Sequence, residues 1–268
     1  MNSSELRGYL TGLILGDGTL GKGVHKRSFE IKSINKDFIE RIYEDIKSCS
    51  NFNIILKTVE ARTDDYGVNH KLHYMLTIKA HPYFNKKYNY FYNDYRVRRI
   101  TNESLSWLTL NGLANWYMSD GYICLVGKTK GYIRDRRVDL CTDRYKKEDV
   151  EKIRKYFYDT WGWETSLIKR KTNSKDMYRI RFKKTSAQDF LYKISPYIVP
   201  SFYYKLNMCY DYQPEWMTDE YYNLMIKIQK CERPNNEKVE GEDIVYGFEG
   251  SPRQKNLCQQ VAAVCSAQ

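Results

Sequence analysis

The chain has 268 residues and a formal net charge of +11, with 44 Lys and Arg against 33 Asp and Glu. This length allows one domain or two small ones with a full hydrophobic core. A strongly basic chain favours polyanionic partners, and a membrane is disfavoured because the longest apolar runs are too short to span a bilayer. Seven scattered cysteines without a C-x-x-C pair predict reduced thiols, no structural zinc and a reducing compartment.

Two matching stretches organise the chain, at 10–18 and 113–121, and each is an apolar run that ends in Asp-Gly. Apolar residues at mixed spacing without proline predict a buried helix, and Gly18 and Gly121 are typical of the left-handed residue that closes one. Asp17 and Asp120 would then lie in the last turn, where the helix macrodipole is negative. Ionised carboxylates in that position need a cation, either a divalent metal or a Lys or Arg.

A glycine stripe on the first of these helices predicts close helix packing. Gly8, Gly12 and Gly16 lie four residues apart, and each costs roughly 1 kcal/mol relative to Ala in a helix interior. Such a stripe allows another backbone to approach closely. The second helix offers small to medium side chains in return, at Asn111, Asn115 and Ser119. The two helices are therefore predicted to pack together and to bring Asp17 and Asp120 side by side.

The remaining elements follow one order twice. The first half predicts strands at 28–33, 54–61 and 72–78 with helices from Asn35 and over 83–92. The second half predicts strands at 122–126, 132–141, 165–171 and 177–183 with helices over 146–161 and 186–194. The two Asp-Gly stretches lie 103 residues apart (120 minus 17), so the chain contains two copies of one α/β unit. We expect an α+β fold with units at 1–100 and 101–212 and a partly disordered C-terminal extension at 213–268.

Cations alternate with apolar residues over 178–183, which predicts a strand with one face in the core and one basic face. Two basic sheets related by a twofold could read two half-sites in the major groove of DNA. Solubility explains any single exposed cation equally well, but the collective basic face favours nucleic acid. The candidate contacts are Lys22, Lys26, Arg27, Lys32, Arg62, Lys79, Lys128, Lys130, Arg134, Arg136, Arg137, Arg179, Arg181 and Lys183.

The two Asp-Gly stretches resemble the paired signatures of the LAGLIDADG homing endonucleases in their single-chain, two-motif form. Residues 116–121, 196–200 and 204–206 are similar to the yeast mitochondrial intron endonuclease group, and the resemblance runs from about Leu6 to about Leu206. It implies a pseudo-twofold pair of αββαββα units whose saddle-shaped antiparallel sheets straddle a long double-stranded DNA site. Two units joined by paired helices predict a monomer. The sequence leaves the location open beyond a reducing compartment with access to DNA, which a bacterial or phage-host cytoplasm or an organelle matrix would provide.

The resemblance implies Mg²⁺-dependent cleavage of both strands, with Asp17 and Asp120 as catalytic metal ligands. Carboxylates are hard oxygen ligands suited to Mg²⁺. Phosphodiester hydrolysis needs an activated water, charge neutralisation and help for the leaving group, and two metals about 4 Å apart can supply all three. No side-chain nucleophile is required.

A basic residue in each half is implied to assist. Lys205 matches the second-half position. In the first half, 95–97 mirrors 204–206, which favours Arg96 as the assisting residue. Arg98 is the alternative, because the spacing to the next helix allows a slip of two. An Arg in either place is a fixed cation, whereas a Lys could deprotonate.

Three other functions are weighed against the endonuclease. An intron RNA maturase on the same scaffold is open, although the presence of both acids favours cleavage. A non-cleaving DNA-binding regulator is expected to carry an appended helix-turn-helix, and none is evident. An intein is disfavoured because neither a splicing-type Cys or Ser start nor a His-Asn end frames the chain.

Overall fold

The computed structural model of the protein describes residues 1–21, 27–63, 67–129, 132–172, 175–206, 218–223 and 225, with backbone alone along 125–129, 132–135, 172 and 175. The candidate contacts Lys22, Lys26 and Lys130 lie outside these residues, and the side chains of Lys128 and Arg134 lie outside the described side chains. Most of the predicted extension, 213–268, is also outside. Its described part includes the buried Tyr221 and Met225.

The first half builds one four-stranded antiparallel sheet. Its elements are α1 (Ser3–Leu15), β1 (Thr19–Leu20), β2 (Phe29–Ser33), α2 (Lys36–Lys47), β3 (Ile54–Val59), β4 (Arg62–Thr63), β5 (Asn69–His70), β6 (His73–Ile78) and α3 (Pro82–Phe91). The strand order is β1-β2-β6-β3, and β4 pairs with β5 in a separate ribbon.

The second half builds a matching sheet from α4 (Asn102–Ser106), α5 (Leu110–Asp120), β7 (Gly121–Thr129), β8 (Tyr132–Leu140), α6 (Lys147–Trp161), β9 (Thr165–Thr172), β10 (Lys175–Phe182) and α7 (Lys184–Ile194). Two 3₁₀ segments follow, Ser195–Tyr197 and Pro200–Leu206. The order β7-β8-β10-β9 repeats that of the first sheet. The predicted α+β fold with duplicated antiparallel sheets is thus confirmed.

Local sequence explains where the helices begin and end. At the start of α1, Asn2 Oδ1 accepts hydrogen bonds from Ser4 N (2.9 Å) and Glu5 N (3.0 Å), while Glu5 accepts one from Asn2 N (2.8 Å). This capping box satisfies amide groups that have no partner within the helix. Helix α6 ends at Gly162, whose φ of 71° is left-handed, a conformation that glycine adopts without strain.

The two halves meet through α1 and α5, whose backbones are in contact. A Cβ atom on Gly12 would lie 1.8 Å from Gly112 O, and one on Gly112 would lie 2.2 Å from Gly8 O. The predicted helix pairing is correct, but Gly112 opposes the glycine stripe where Asn111 was expected, and Asn111 instead accepts a hydrogen bond from Arg41 Nη2 (3.0 Å). Ser119 does oppose the stripe, because a Cβ on Gly16 would lie 2.7 Å from its side chain.

The prediction that Gly18 and Gly121 close their helices in the left-handed region is wrong. Gly121 has φ −84° and ψ 151°, and Gly18 is not among the described glycines with positive φ. Both positions need glycine because they are crowded. A Cβ would lie 1.9 Å from Tyr117 Cδ2 at Gly121 and 2.6 Å from Leu13 O at Gly18.

The core lies between each sheet and the helices on one side of it. Alternate strand residues point into this core, among them Phe29, Ile31, Leu76 and Ile78 in the first sheet and Val138, Leu140, Ile180 and Phe182 in the second. The other face of each sheet carries the intervening residues. Across the described part of the chain, every helix is too short or too polar to cross a bilayer.

Candidate active site and nucleic-acid interface

The two predicted acids come together at the ends of α1 and α5. Asp120 is the last residue of α5, and Asp17 lies two residues beyond α1. One nitrogen, Nη2 of Arg144, lies 3.4 Å from Asp120 Oδ1 and 3.8 Å from Asp17 Oδ1. The carboxylates therefore face each other across a single guanidinium.

The two carboxylates differ in their surroundings. The Asp17 side chain is 48% exposed, whereas that of Asp120 is 9% exposed. Burial raises the pKa of Asp120 to about 6, with a further increase from Asp17 and opposing effects of Arg144 and Arg98. Its Oδ2 atom is buried and meets no donor at full hydrogen-bond geometry in the described part of the protein, although the Trp116 side chain lies close enough to lower the pKa of Asp120. An unpaired carboxylate oxygen of this kind is a ligand position for a cation.

A divalent cation fits this pair of oxygen donors, but the pair alone cannot complete a coordination shell. The described residues include no cluster of three or more His, Cys, Asp or Glu side chains suited to a metal. Mg²⁺ usually keeps several waters and binds one or two carboxylates together with substrate phosphates. The site accordingly has the composition of one that a phosphate ligand completes.

Lys205 lies at the end of α5. Its Nζ donates to Met118 O (2.6 Å), and its own carbonyl oxygen accepts a hydrogen bond from Tyr117 Oη (2.8 Å). Burial lowers the pKa of Lys205 to about 8, while Asp120 and Asp17 act in the opposite direction. A cation at the C-terminus of a helix also compensates the negative end of the macrodipole.

The corresponding position at the end of α1 belongs to Arg98. Its guanidinium donates to Ile14 O (2.5 Å), Gly16 O (3.1 Å) and Gly18 O (2.6 Å). Arg96, the first choice from sequence, is exposed instead. Tyr92 and Arg98 pair across a hairpin, which places Arg96 at its tip.

The tip of that hairpin carries two exposed side chains, Tyr95 and Arg96. Asn93 Oδ1 accepts hydrogen bonds from Tyr95 N (3.1 Å) and Val97 N (2.9 Å), which fixes the turn. Tyr95 is 87% exposed. Arg96 has φ 61°, a left-handed conformation that costs a residue other than glycine about 1 kcal/mol. The chain therefore keeps an arginine where glycine is the default residue.

Arg144 is the site residue that the sequence analysis missed. Besides the two carboxylates, its guanidinium reaches Gly16 O (3.0 Å). The available signal was the requirement for a cation beside Asp17 and Asp120. This requirement does not say which residue meets it, and a comparison of the two halves does not help. Thr142 corresponds to Ser33 in the repeat, so Arg144 corresponds to the uncharged Asn35.

In the first sheet the exposed basic face is short. Lys32, Lys57 and Lys79 alternate with core residues and so share the face opposite the core; Lys57 was not among the predicted contacts. Arg62 is exposed in β4. Arg27 is partly occupied within the protein, since it donates to Gly21 O (3.1 Å) and stacks 3.2 Å from the centre of the Tyr88 ring.

In the second sheet, strand alternation separates neighbouring arginines. Arg137 lies on the face opposite Val138 together with Arg179 and Arg181, and Lys183 is exposed just beyond β10. Arg136 departs from the prediction, because it points to the core side and is 7% exposed. A one-residue step along a strand changes the face.

Two arginines of this face are bound to aspartates. Arg179 Nε donates to both carboxylate oxygens of Asp143 (2.8 and 2.9 Å). Arg181 donates to both oxygens of the buried Asp139 (2.7 and 2.8 Å). These ion pairs fix the positions of the guanidinium groups on the sheet.

We expect Arg181→Met to lower the free energy of unfolding by about 3 kcal/mol, because it leaves the buried Asp139 carboxylate without its cation. Chemical denaturation measures this effect. The control is Lys79→Met, at an exposed position on the other sheet, which should leave stability unchanged. Equal stability of the two variants would contradict a structural role for Arg181.

Comparisons with known proteins give the family. The model of the LAGLIDADG DNA endonuclease family matches residues 7–190. Protein RecA from Mycolicibacterium flavescens is 30% identical over 113 residues, covering 40% of this chain and 26% of that protein. Protein RecA from Mycobacterium leprae is 30% identical over 113 residues, covering 40% of this chain and 15% of that protein. The chain thus spans about a quarter or less of the length of these curated relatives.

A solved structure supports the fold. The homing endonuclease I-WcaI bound to its DNA recognition sequence superposes with a TM-score of 0.63 at 22% identity, covering 78% of this chain and 88% of that chain. The family match covers more than half of the sequence and includes both Asp-Gly stretches. On this basis the chain belongs to the LAGLIDADG DNA endonuclease family.

Proposed function

We propose that the protein is a site-specific endonuclease that cuts both strands of a long double-stranded DNA target by metal-dependent hydrolysis. The observation that carries the proposal is the convergence of Asp17 and Asp120 on one guanidinium, with Asp120 Oδ2 buried and unpaired. Family membership supports the endonuclease activity. The binding of I-WcaI to its DNA recognition sequence supports duplex DNA as the partner.

Asp17 and Asp120 would hold a divalent cation, most simply Mg²⁺, through their carboxylate oxygens. When bound, the metal supplies an activated water and neutralises charge on the scissile phosphate. Two carboxylates in a half-buried site repel each other. A cation between them would offset this repulsion, and in the structure Arg144 acts to lower the raised pKa of Asp120.

Lys205 and Arg98 would place positively charged groups beside the reacting phosphate. Each is held by carbonyl oxygens at the end of one motif helix, so neither has to reorganise as negative charge develops on the phosphate. Their properties differ. With its pKa lowered to about 8, Lys205 Nζ can hold or release a proton near neutral pH, whereas the Arg98 guanidinium stays charged.

The two basic sheet faces would hold the DNA. Each of the two units that we expect, 1–100 and 101–212, would contribute one of the two sheets, and α1 and α5 would join them. A monomer therefore presents two faces for two half-sites. Phosphate contacts by the lysines and arginines predict binding that weakens steeply with salt.

Selection from a randomised duplex library tests the activity directly. We expect that incubation with Mg²⁺ yields products cut in both strands at one sequence, and that EDTA prevents cleavage. Cleavage without sequence preference would contradict site specificity. Retention of duplex without cutting, or tighter retention of RNA, would favour the non-cleaving regulator or the maturase.

We expect Arg96→Gly to weaken DNA binding while the protein becomes equally stable or up to about 1 kcal/mol more stable, since the change removes left-handed strain. The slope of log affinity against log salt should fall by about 1, as expected for one lost phosphate contact. The control Arg96→Lys keeps both the charge and the strain. Wild-type affinity and salt slope in Arg96→Gly would contradict a DNA contact at the hairpin tip.

A further inference from the structure

We propose that Arg144 is a positioning residue that holds Asp17 and Asp120 together in the DNA-free protein and leaves this position when metal binds. This inference rests on the proposed function and adds a residue to its site. One guanidinium contacts both carboxylates and Gly16 O. It therefore supplies the positive charge that the pair needs before a metal arrives.

The turn that carries Arg144 is anchored on both sides, so the fold itself places the Arg144 side chain beside the two acids. Thr142 Oγ1 donates to Tyr178 O (2.6 Å), and the Asp143 carboxylate binds Arg179. On the other side, Tyr145 Oη donates to Leu15 O (3.0 Å) at the end of α1. The second half thus places this turn against the acid-bearing end of the first half.

The arrangement is one-sided. In the first half, residues 33–35 correspond to this turn. They carry no arginine and line a cavity of about 620 Å³. Asp17, Asn35 and Lys205 are among the residues that line it. Asp17 therefore faces open space on the side of the first half, whereas Arg144 contacts both acids from the second half.

Arg144 and a divalent cation would compete for the same two carboxylates. A cation held by the unpaired Asp120 Oδ2 and by Asp17 would lie beside the Oδ1 atoms that Arg144 contacts, and two cations in that space repel each other. The Arg144 side chain is 36% exposed, so it can swing toward solvent without opening the core. Bound DNA would favour this movement, because a phosphate gives the displaced arginine another anionic partner.

The test is Mn²⁺ binding by the full chain without DNA, followed through the EPR signal of free Mn²⁺. We expect Arg144→Gln to bind Mn²⁺ about tenfold more tightly than wild type, a mid-range value for coupling between two competing ligands. Arg144→Lys retains the charge and should stay within threefold of wild type. In EDTA, Arg144→Gln should melt at a lower temperature, and saturating Mn²⁺ should restore the wild-type value.

The matched control is Arg154→Gln, which removes an arginine–glutamate pair on α6 (Arg154 Nη1 to Glu151 Oε2, 2.7 Å) and a hydrogen bond to Thr165 O (2.7 Å), both outside the acid pair. Its Mn²⁺ affinity should equal that of wild type. Equal affinity in Arg144→Gln and wild type would overturn the inference and leave the proposed function standing. Absence of Mn²⁺ binding in every variant, even with the cleavable target present, would instead overturn the proposed function.

Discussion

Asp120→Asn is expected to reduce double-strand cleavage by about 10³-fold or more while DNA affinity stays within a few-fold of wild type. The amide keeps the shape of the side chain but loses the charge that would bind a divalent cation. Burial raises the pKa of Asp120 to about 6, so at pH 8 the ionised Asp120 carboxylate lowers the stability of the folded protein. Asp120→Asn should therefore melt no lower than wild type in EDTA at pH 8. A plasmid cleavage time course and a binding titration measure the two effects.

Asp17→Asn is expected to give the same loss, although Asp17 is far more exposed. The control is Asp159→Asn, which removes an exposed carboxylate paired with Lys155 on α6 (2.7 Å) and should cut at the wild-type rate. If the double variant Asp17→Asn, Asp120→Asn still cut both strands, the two acids could not be the metal ligands.

Gly12→Ala is expected to lower stability by about 3 kcal/mol or more, because the added methyl group meets backbone and not a movable side chain. The nearest atoms are Gly112 O at 1.8 Å and Gly112 C at 2.4 Å. Only separation of α1 from α5 can relieve such overlap, and that separation also moves Asp17 away from Asp120. For a protein of this size the melting temperature should fall by about 10 °C.

Gly67→Ala is the matched control for Gly12→Ala. Gly67 has φ 77°, and a Cβ atom there would meet nothing within 4 Å. The control should lose only about 1 kcal/mol, from left-handed strain. A melting temperature for Gly12→Ala equal to that of Gly67→Ala would contradict backbone contact between the helices.

The repeat and the acid pair could be predicted from the sequence because the apolar stretch that ends in Asp-Gly occurs twice. Asp17 and Asp120 end matching apolar helices, and a close contact between those helices leaves them adjacent. The face of α5 that contacts α1 was harder to predict. A glycine stripe shows that a backbone approaches, but Asn111 and Gly112 differ by one residue, or about 100° around α5. Only the packed structure decides which of them faces Gly12.

Residues whose position depends on a turn or a strand register were harder to predict. Arg96 and Arg98 differ in whether the hairpin exposes the side chain or turns it toward α1, and spacing alone cannot distinguish them. Arg136 and Arg137 differ only in which sheet face they occupy. Arg144 breaks the pseudo-twofold, since its counterpart is Asn35, so a comparison of the two halves could not reveal it.

The most direct measurement is cleavage of a supercoiled plasmid that carries the target sequence selected from the randomised duplex library. With Mg²⁺ we expect the protein to give a linear product cut at one position. We expect no product in EDTA and none from Asp120→Asn. Cleavage that persists in EDTA, or an intact plasmid to which the protein binds specifically in Mg²⁺, would contradict a metal-dependent endonuclease built on the two acids.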